Sequence, residues 1–229
     1  MALIGISGKI GVGKDTIGTI IQGLLLTNKN QSSEIKKFAG KLKQIASILT
    51  GIRVEKFEDQ EFKKNYLDSE WGTVQNIPLN SIPPFADIQF NTLMTVREFL
   101  QKLGTEAMRD GLHTNVWVNA LFADYKAKWV ATGDAIEEDE VSLNKEYPNW
   151  IITDMRFPNE MEAVEKKHGI TIRVTRPSFM VNGKVITKDV HPSETALDDA
   201  KFDYEIINDG TMEELVKKVR EILVNEELI

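Results

Sequence analysis

Near its N-terminus the chain carries Gly8-Lys-Ile-Gly11-Val-Gly13-Lys14-Asp15-Thr16, a glycine-rich loop running into a lysine. This spacing suits a chain of phosphates. Backbone N–H groups can surround an anion only where no Cβ blocks the approach, and glycine provides that space. Lys14 can reach terminal phosphates, and the positive end of the following helix faces the same anion. The flanks agree: Leu3, Ile4 and Ile6 predict a strand before the loop, and Ile17, Ile20, Ile21, Leu24 and Leu25 recur at helical spacing after it. A glycine turn without a ligand is the plainer alternative, and the strand and helix on either side favour the phosphate reading.

Asp15 stands where a Ser or Thr usually contacts magnesium, with the hydroxyl one place later at Thr16. A carboxylate beside a phosphate site repels an unaccompanied nucleotide. Asp15 is therefore expected near magnesium, its water, or a bound partner group. The departure points away from GTPases and motor ATPases, towards kinases of small molecules and nucleotides.

Further along, Trp150-Ile-Ile-Thr-Asp154 reads as a strand ending in a carboxylate. In a parallel sheet its tip faces the same edge as the loop, because ligands bind outside the carboxyl ends of the strands. Asp154 can hold a magnesium water or orient a substrate, or it simply opens a turn. Arg156 suits a bidentate grip on phosphate. Glu160 either steers Arg156 or favours the first turn of a helix through its charge. Arg173 and Arg176 lie in and just after the next strand, and Arg176 is placed to reach transferring phosphates. His191-Pro-Ser-Glu194-Thr can belong to a lid, although a His beside Pro is more often a surface turn. Asn208-Asp209-Gly210 is first a turn, and its backbone can border an adenine ring. His113 and His168 have no metal-ligand spacing and are given no role.

One more constellation sits on a predicted helix from Thr95 to about Asp110, opened by Thr95 and Glu98 as a capping box. At 100° per residue, Arg97, Gln101, Gly104, Thr105 and Met108 share a stripe, and Phe99, Leu100, Leu103 and Ala107 form the core face. Arg97 can hold an acceptor phosphate, Gln101 can meet a base edge, and Gly104 lets a ring approach the backbone. Periodicity alone favours an ordinary amphipathic helix. Trp117 can stack on a base, although Trp at that spacing is more often core.

The elements that must position these groups alternate strand and helix, which predicts a parallel sheet covered on both faces. Strands are expected at 2–7, 35–39, 150–154, 171–175 and 204–207. Helices are expected at 14–27, 40–50, 95–110, 115–129, 158–168 and from Thr211 to the C-terminus. Residues 53–71 look helical and charged, 72–95 irregular around Pro78, Pro83 and Pro84, and 131–148 a solvated acidic loop.

The chain has 229 residues and a net charge of −7, from 28 basic and 35 acidic side chains. That balance disfavours duplex nucleic acid and anionic membranes as partners, but leaves anionic small molecules open. There is no cysteine, hence no disulfide and no thiolate chemistry. No signal-type segment or membrane span is expected, which suits the cytoplasm.

Taken together, Gly8-x-x-x-x-Gly13-Lys14-Asp15-Thr16, Arg97-x-x-Leu-Gln101-x-Leu-Gly104-Thr105, Trp117, Asp154-x-Arg156-x-x-x-Glu160, His191-x-Ser-Glu194 and Ile207-Asn208-Asp209-Gly210 resemble the deoxynucleoside monophosphate kinases of tailed bacteriophages. The resemblance implies a P-loop kinase fold, an α/β three-layer sandwich whose five-stranded parallel sheet has the order two-three-one-four-five. It implies transfer of the ATP γ-phosphoryl group to a deoxynucleoside monophosphate with Mg2+, in the host cytoplasm if phage-encoded. Carried over, Gly8, Gly11, Gly13, Lys14, Thr16 and Asn208 would bind ATP. Arg97, Gln101, Gly104, Thr105, Trp117, Asp154, Arg156 and Glu160 would bind the acceptor. Lys14, Asp15, Arg156 and Arg176 would act in catalysis, and Asp15, Thr16 and Asp154 would lie at the metal. The organisation implied is one kinase domain over 1–229, with a helical acceptor-binding insertion at about 52–148 and a lid-like segment at about 177–201. A homodimer is compatible with this reading. The competing readings are another P-loop small-molecule kinase, acting on dephospho-coenzyme A or related to adenylate kinase, and an ATP-binding regulator without turnover.

Overall fold

The computed structural model describes residues 2–75, 90–132, 142–177 and 195–229. Along the chain its elements are β1 (Leu3–Ser7), α1 (Lys14–Lys29), β2 (Ser33–Lys36), α2 (Ala39–Thr50), β3 (Thr73–Gln75), β4 (Phe90–Thr92), α3 (Val96–Gln101), α4 (Val116–Phe122), β5 (Lys128–Thr132), β6 (Ser142–Glu146), β7 (Asn149–Met155), α5 (Pro158–Glu165), β8 (Ile170–Thr175), β9 (Tyr204–Ile207) and α6 (Met212–Asn225). They fall into two compact units: Met1–Phe38 with Trp117–Ile229, and Ala39–Val116.

The first unit is built on a five-stranded sheet ordered β2-β7-β1-β8-β9, with every neighbouring pair parallel. Counting only the strands of this sheet, that is the two-three-one-four-five order the sequence implied. β1 is central and buried along its whole length, so it must be apolar on both faces. On one face Ile4, Ile6, Ile172 and Val174 pack with Ile17, Ile21 and Leu25 of α1 and with Leu215, Val219 and Leu223 of α6. On the other, Val164 of α5 and Met155 of β7 close over Gly5. The result is the expected three-layer α/β sandwich. α6 opens with the predicted capping box: the Glu214 N–H donates to Thr211 Oγ1 at 3.3 Å, and the Thr211 N–H donates to Glu214 Oε2 at 2.8 Å.

The second unit has its own small core of Ala46, Phe57, Leu67, Val96 and Phe99, with Trp71 edge-on to Phe99 at 5.0 Å. Residues 53–71 are three short 3-10 turns, Val54–Glu58, Phe62–Lys64 and Ser69–Trp71, rather than one helix. The segment's charges leave too few apolar anchors for a helical stripe, and Phe57 and Leu67, with Phe62 and Trp71 packed beside them, hold it down. β3 and β4 pair antiparallel inside the stretch expected to be irregular. Thr95 and Glu98 form the predicted capping box of α3. The helix then widens over Lys102–Asp110 into π-helical turns, in which an N–H reaches the carbonyl five residues back, as Gly111 does to Glu106 at 3.0 Å. A stripe drawn at 100° per residue holds to Gln101 and fails beyond it. Ala107, expected in the core, is exposed.

Two further expectations are corrected. The helix expected at 115–129 stops at Phe122, and the loop expected at 131–148 contains part of a β-ladder in which β5 pairs antiparallel with β6. Lys128-Trp-Val-Ala-Thr132 is a three-residue apolar run between polar residues, which periodicity cannot tell from the end of a helix, and its partner lies beyond residues 133–141 and escapes a local search. Pro78, Pro83, Pro84, the acidic run at 137–140 and the His191–Glu194 motif lie outside the described residues. Among those described, no helix is long and apolar enough to cross a membrane.

Candidate active site

β1 delivers the glycine loop to the carboxyl edge of the sheet, and α1 carries it away. A Cβ on Gly8 would run into the carbonyl oxygen of Val174 in β8, so a glycine is required for the loop to leave β1 here. Gly13 caps α1 in the left-handed region, at φ 99° and ψ 22°. Its Cβ would lie 2.7 Å from Asn208 Nδ2. That amide is engaged: Asn208 Nδ2 donates to the Val12 carbonyl at 2.8 Å, and the Asn208 N–H donates to Thr175 O at 2.8 Å. The end of β9 thus braces the back of the loop through the Asn208 side chain, a role distinct from the adenine border expected of its backbone. Gly11 sits at φ 82° in open space and Thr16 is exposed. Lys14 folds over the loop, with Nζ donating to Gly8 O at 2.5 Å and Lys9 O at 2.8 Å.

Asp15 leaves the first turn of α1 towards two partners. Its Oδ1 accepts from Thr153 Oγ1 of β7 at 2.6 Å and lies 3.4 Å from Lys37 Nζ. Burial pushes this carboxyl up, but the Thr153 bond, Lys37 and Lys14 together outweigh it and hold it below the usual carboxylate range. Lys37 was not singled out by the sequence, where it falls inside the strand expected at 35–39. Asp154 Oδ1 accepts the Phe38 N–H at 2.7 Å, which ties the exit of β2 to the tip of β7. Arg156 follows, half-buried. Glu160 is 3% exposed, and its Oε2 accepts the N–H groups of Arg156 at 2.7 Å and Phe157 at 3.1 Å. It therefore caps α5 and fixes the backbone of Arg156 at the same time. Arg173 donates to Leu197 O at 3.0 Å and to Asp198 Oδ1 at 2.7 Å, and lies over Phe202, so it holds the segment leading to β9. Arg176 is exposed past the end of β8.

The remaining predicted residues belong to the second unit, apart from Trp117. Arg97 is exposed, with Nη2 donating to Gln60 Oε1 at 3.1 Å. Gln101 is exposed and Thr105 half-buried. The space in front of Gly104 is filled by Leu42 of α2, 2.9 Å from where a Cβ would stand, so this glycine admits a neighbouring helix. Trp117, in the first unit, is 6% exposed, the burial of a core ring, and base stacking there requires it to be uncovered. The structure thus gathers Gly8, Gly11, Gly13, Lys14, Asp15, Thr16, Asp154, Arg156, Glu160, Arg176 and Asn208 at the carboxyl end of one sheet and the turns beside it. Arg97, Gln101, Gly104 and Thr105 lie on the helical stretch of the other unit. Among the described residues no group of three or more His, Cys, Asp or Glu side chains is placed to hold a metal.

Comparison with known proteins adds an independent line. A family model described as deoxynucleotide monophosphate kinase matches residues 56–219. That match does not include the phosphate loop, whose assignment rests on its own geometry. A putative deoxynucleotide monophosphate kinase of Acanthamoeba polyphaga mimivirus is 25% identical over 96% of this chain and 94% of the relative. The deoxynucleoside-5'-monophosphate kinase of Escherichia phage T5 is 25% identical over 90% of this chain and 89% of its own length. The deoxynucleotide monophosphate kinase of Enterobacteria phage T4 is 30% identical over 56% of this chain and 45% of its own. With the family match covering most of the chain, and a braced phosphate loop at the edge of a two-three-one-four-five sheet, this chain belongs to the deoxynucleotide monophosphate kinase family.

Proposed function

We propose that this chain transfers the γ-phosphoryl group of ATP to deoxynucleoside monophosphates, giving the diphosphate and ADP. The observation that carries the reading is the phosphate loop: Gly8 and Gly13 bring backbone and Lys14 to the carboxyl edge of the sheet, with Asp15 beside them. An acceptor phosphate has its second pKa near ~6 and is largely ionised at neutral pH, so the transfer needs no strong general base. Positioning and charge neutralisation remain as the tasks of the protein. Lys14 leaves the Gly8 and Lys9 carbonyls to meet the terminal phosphates. Arg156 and Arg176 are the guanidinium groups proposed to meet the charge that develops in transfer. Arg97 is proposed for the acceptor phosphate, Gln101 for the base edge, with Thr105 and Trp117 beside them.

A magnesium ion fits the donor set at Asp15, Thr16 and Asp154. Magnesium is typically held by one or two carboxylates, phosphate oxygens and several waters, and does not need a cage of protein ligands. When bound it would neutralise phosphate charge. We place this chain in the cytoplasm, that of the host if it is phage-encoded. The reading is tested by offering a panel of deoxynucleoside and ribonucleoside monophosphates, with AMP and dephospho-coenzyme A included, together with ATP and Mg2+, and measuring ADP. Turnover with one or more deoxynucleoside monophosphates is expected. Phosphorylation of none of them refutes it.

A further inference from the structure

The position after the phosphate-loop lysine is acidic here, and the proposed ligand is a polyphosphate. The structure supplies a cation to that carboxylate. Lys37 follows β2 directly, and β2 runs parallel to β7, so the chain leaves it at the edge where β1 delivers the loop. The two consecutive lysines part company. Lys36 lies over the Trp150 ring at 4.8 Å and pairs with Glu34 at 2.7 Å, whereas Lys37 turns to Asp15. The backbone beside Lys37 is held by the Asp154 carboxylate on the Phe38 N–H. The Lys37 side chain keeps 27% of its exposure, low for a residue type that is normally solvated. Asp15 Oδ1 therefore receives a hydroxyl from Thr153 and a cation from Lys37 on one oxygen.

We propose that Lys37 is a positioning residue of the nucleotide site: it holds the Asp15 carboxylate towards Thr153 and offsets its charge, so that a polyphosphate can bind beside it. This rests on the reading of residues 8–16 as the nucleotide site. Ion pairs at surfaces contribute little to folding. The effect of this pair falls instead on an incoming anion, which meets a bare carboxylate when the lysine is missing and a neutral pair when it is present.

The test is the dissociation constant for ATP by calorimetry, with and without magnesium, on the full chain. Variants are Lys37→Met, Lys37→Arg, Asp15→Asn and Asp15→Asn with Lys37→Met, with Lys37→Gln in place of Lys37→Met should the latter not fold. Loss of the lysine is expected to weaken magnesium-free ATP by about tenfold, the scale of one close charge pair at a binding site. The loss should be smaller with magnesium, because the metal replaces part of the missing charge. Lys37→Arg should restore binding. In the Asp15→Asn background removal of Lys37 should change affinity by less than about threefold, since no carboxylate charge remains to offset. Equal weakening in both backgrounds overturns the proposal, because Lys37 would then act on the nucleotide or on the fold. Unchanged ATP binding in Lys37→Met overturns it as well and leaves an ordinary ion pair. A wild-type chain that binds no ATP refutes the nucleotide-site reading itself.

Discussion

Replacing Gly13 by alanine should cost more than its backbone angle explains. At φ 99° and ψ 22° a side chain is strained, and left-handed backbone costs a residue with a Cβ roughly 1–2 kcal/mol. The new methyl would also stand 2.7 Å from Asn208 Nδ2, closer than carbon and nitrogen tolerate. The amide can yield only by leaving the Val12 carbonyl, which forfeits a bond of 2.8 Å worth about 1 kcal/mol. Alanine recovers about 0.5 kcal/mol by restricting the unfolded chain. The net loss is about 2 kcal/mol, near half of it steric. Gly11→Ala is the control: its φ is 82° and nothing lies within 4 Å of its Cβ, so only the backbone part applies. Urea midpoints at unchanged slope give the comparison. The steric part should vanish once Asn208 is alanine, so Gly13→Ala with Asn208→Ala should cost about 1 kcal/mol less than the two single changes added. Additive losses, or equal losses at Gly11 and Gly13, refute the claim that Asn208 braces the loop.

Arg97→Ala should raise the KM for the deoxynucleoside monophosphate at least about tenfold, the loss of one charge-assisted contact, while the KM for ATP stays put; steady-state kinetics with each substrate varied in turn decides it. Glu160→Ala leaves the Arg156 and Phe157 N–H groups without their shared acceptor, and should lower stability by about 2 kcal/mol in urea, with Glu160→Gln retaining part of it. Burial pushes the Tyr125 phenol up to about 12, with Tyr147 adding to it. The folded chain then holds that proton more tightly than the unfolded one, so its contribution is complete below pH ~10 and is lost as pH rises from there towards 12. Urea midpoints across that range should fall less steeply in Tyr125→Phe, and an unchanged slope refutes the assignment.

The sheet was legible because its central strands are buried: β1 carries Leu3, Ile4 and Ile6, β7 carries Trp150, Ile151 and Ile152, and each is followed by a helix with an apolar stripe. The capping boxes at Thr95 and Thr211 were equally plain, because both partners sit three residues apart. The losses share a physical cause, in that the deciding partner is distant along the chain. β5 needs β6 across residues 133–141, and the widened turn over Lys102–Asp110 shifts the register of a face that ordinary helical spacing defines. Gly104 carried the right residue type with an unexpected occupant, Leu42 rather than a ring of the ligand. Lys37 was invisible for the same reason. The acidic residue near it in sequence, Glu34, pairs with Lys36, whereas Lys37 pairs with Asp15, on another element.

That pairing bears on how a chain of net charge −7 would hold the anions proposed for an edge rich in acidic groups. Asp154 and Glu160 look hostile to phosphate, yet both accept backbone N–H groups, from Phe38 in one case and from Arg156 and Phe157 in the other. A carboxylate so engaged disperses part of its charge into main-chain dipoles. Asp15 is held by side chains, the Thr153 hydroxyl and the Lys37 ammonium. Side chains can rotate away at the cost of a rotamer, whereas a backbone N–H cannot leave without unfolding its turn. The Asp15 pairing can therefore be exchanged if a cation and a phosphate chain bind at the proposed nucleotide site. Asp15 lies in the first turn of α1, next to Lys14, where such an exchange would act on the groups proposed to meet the nucleotide.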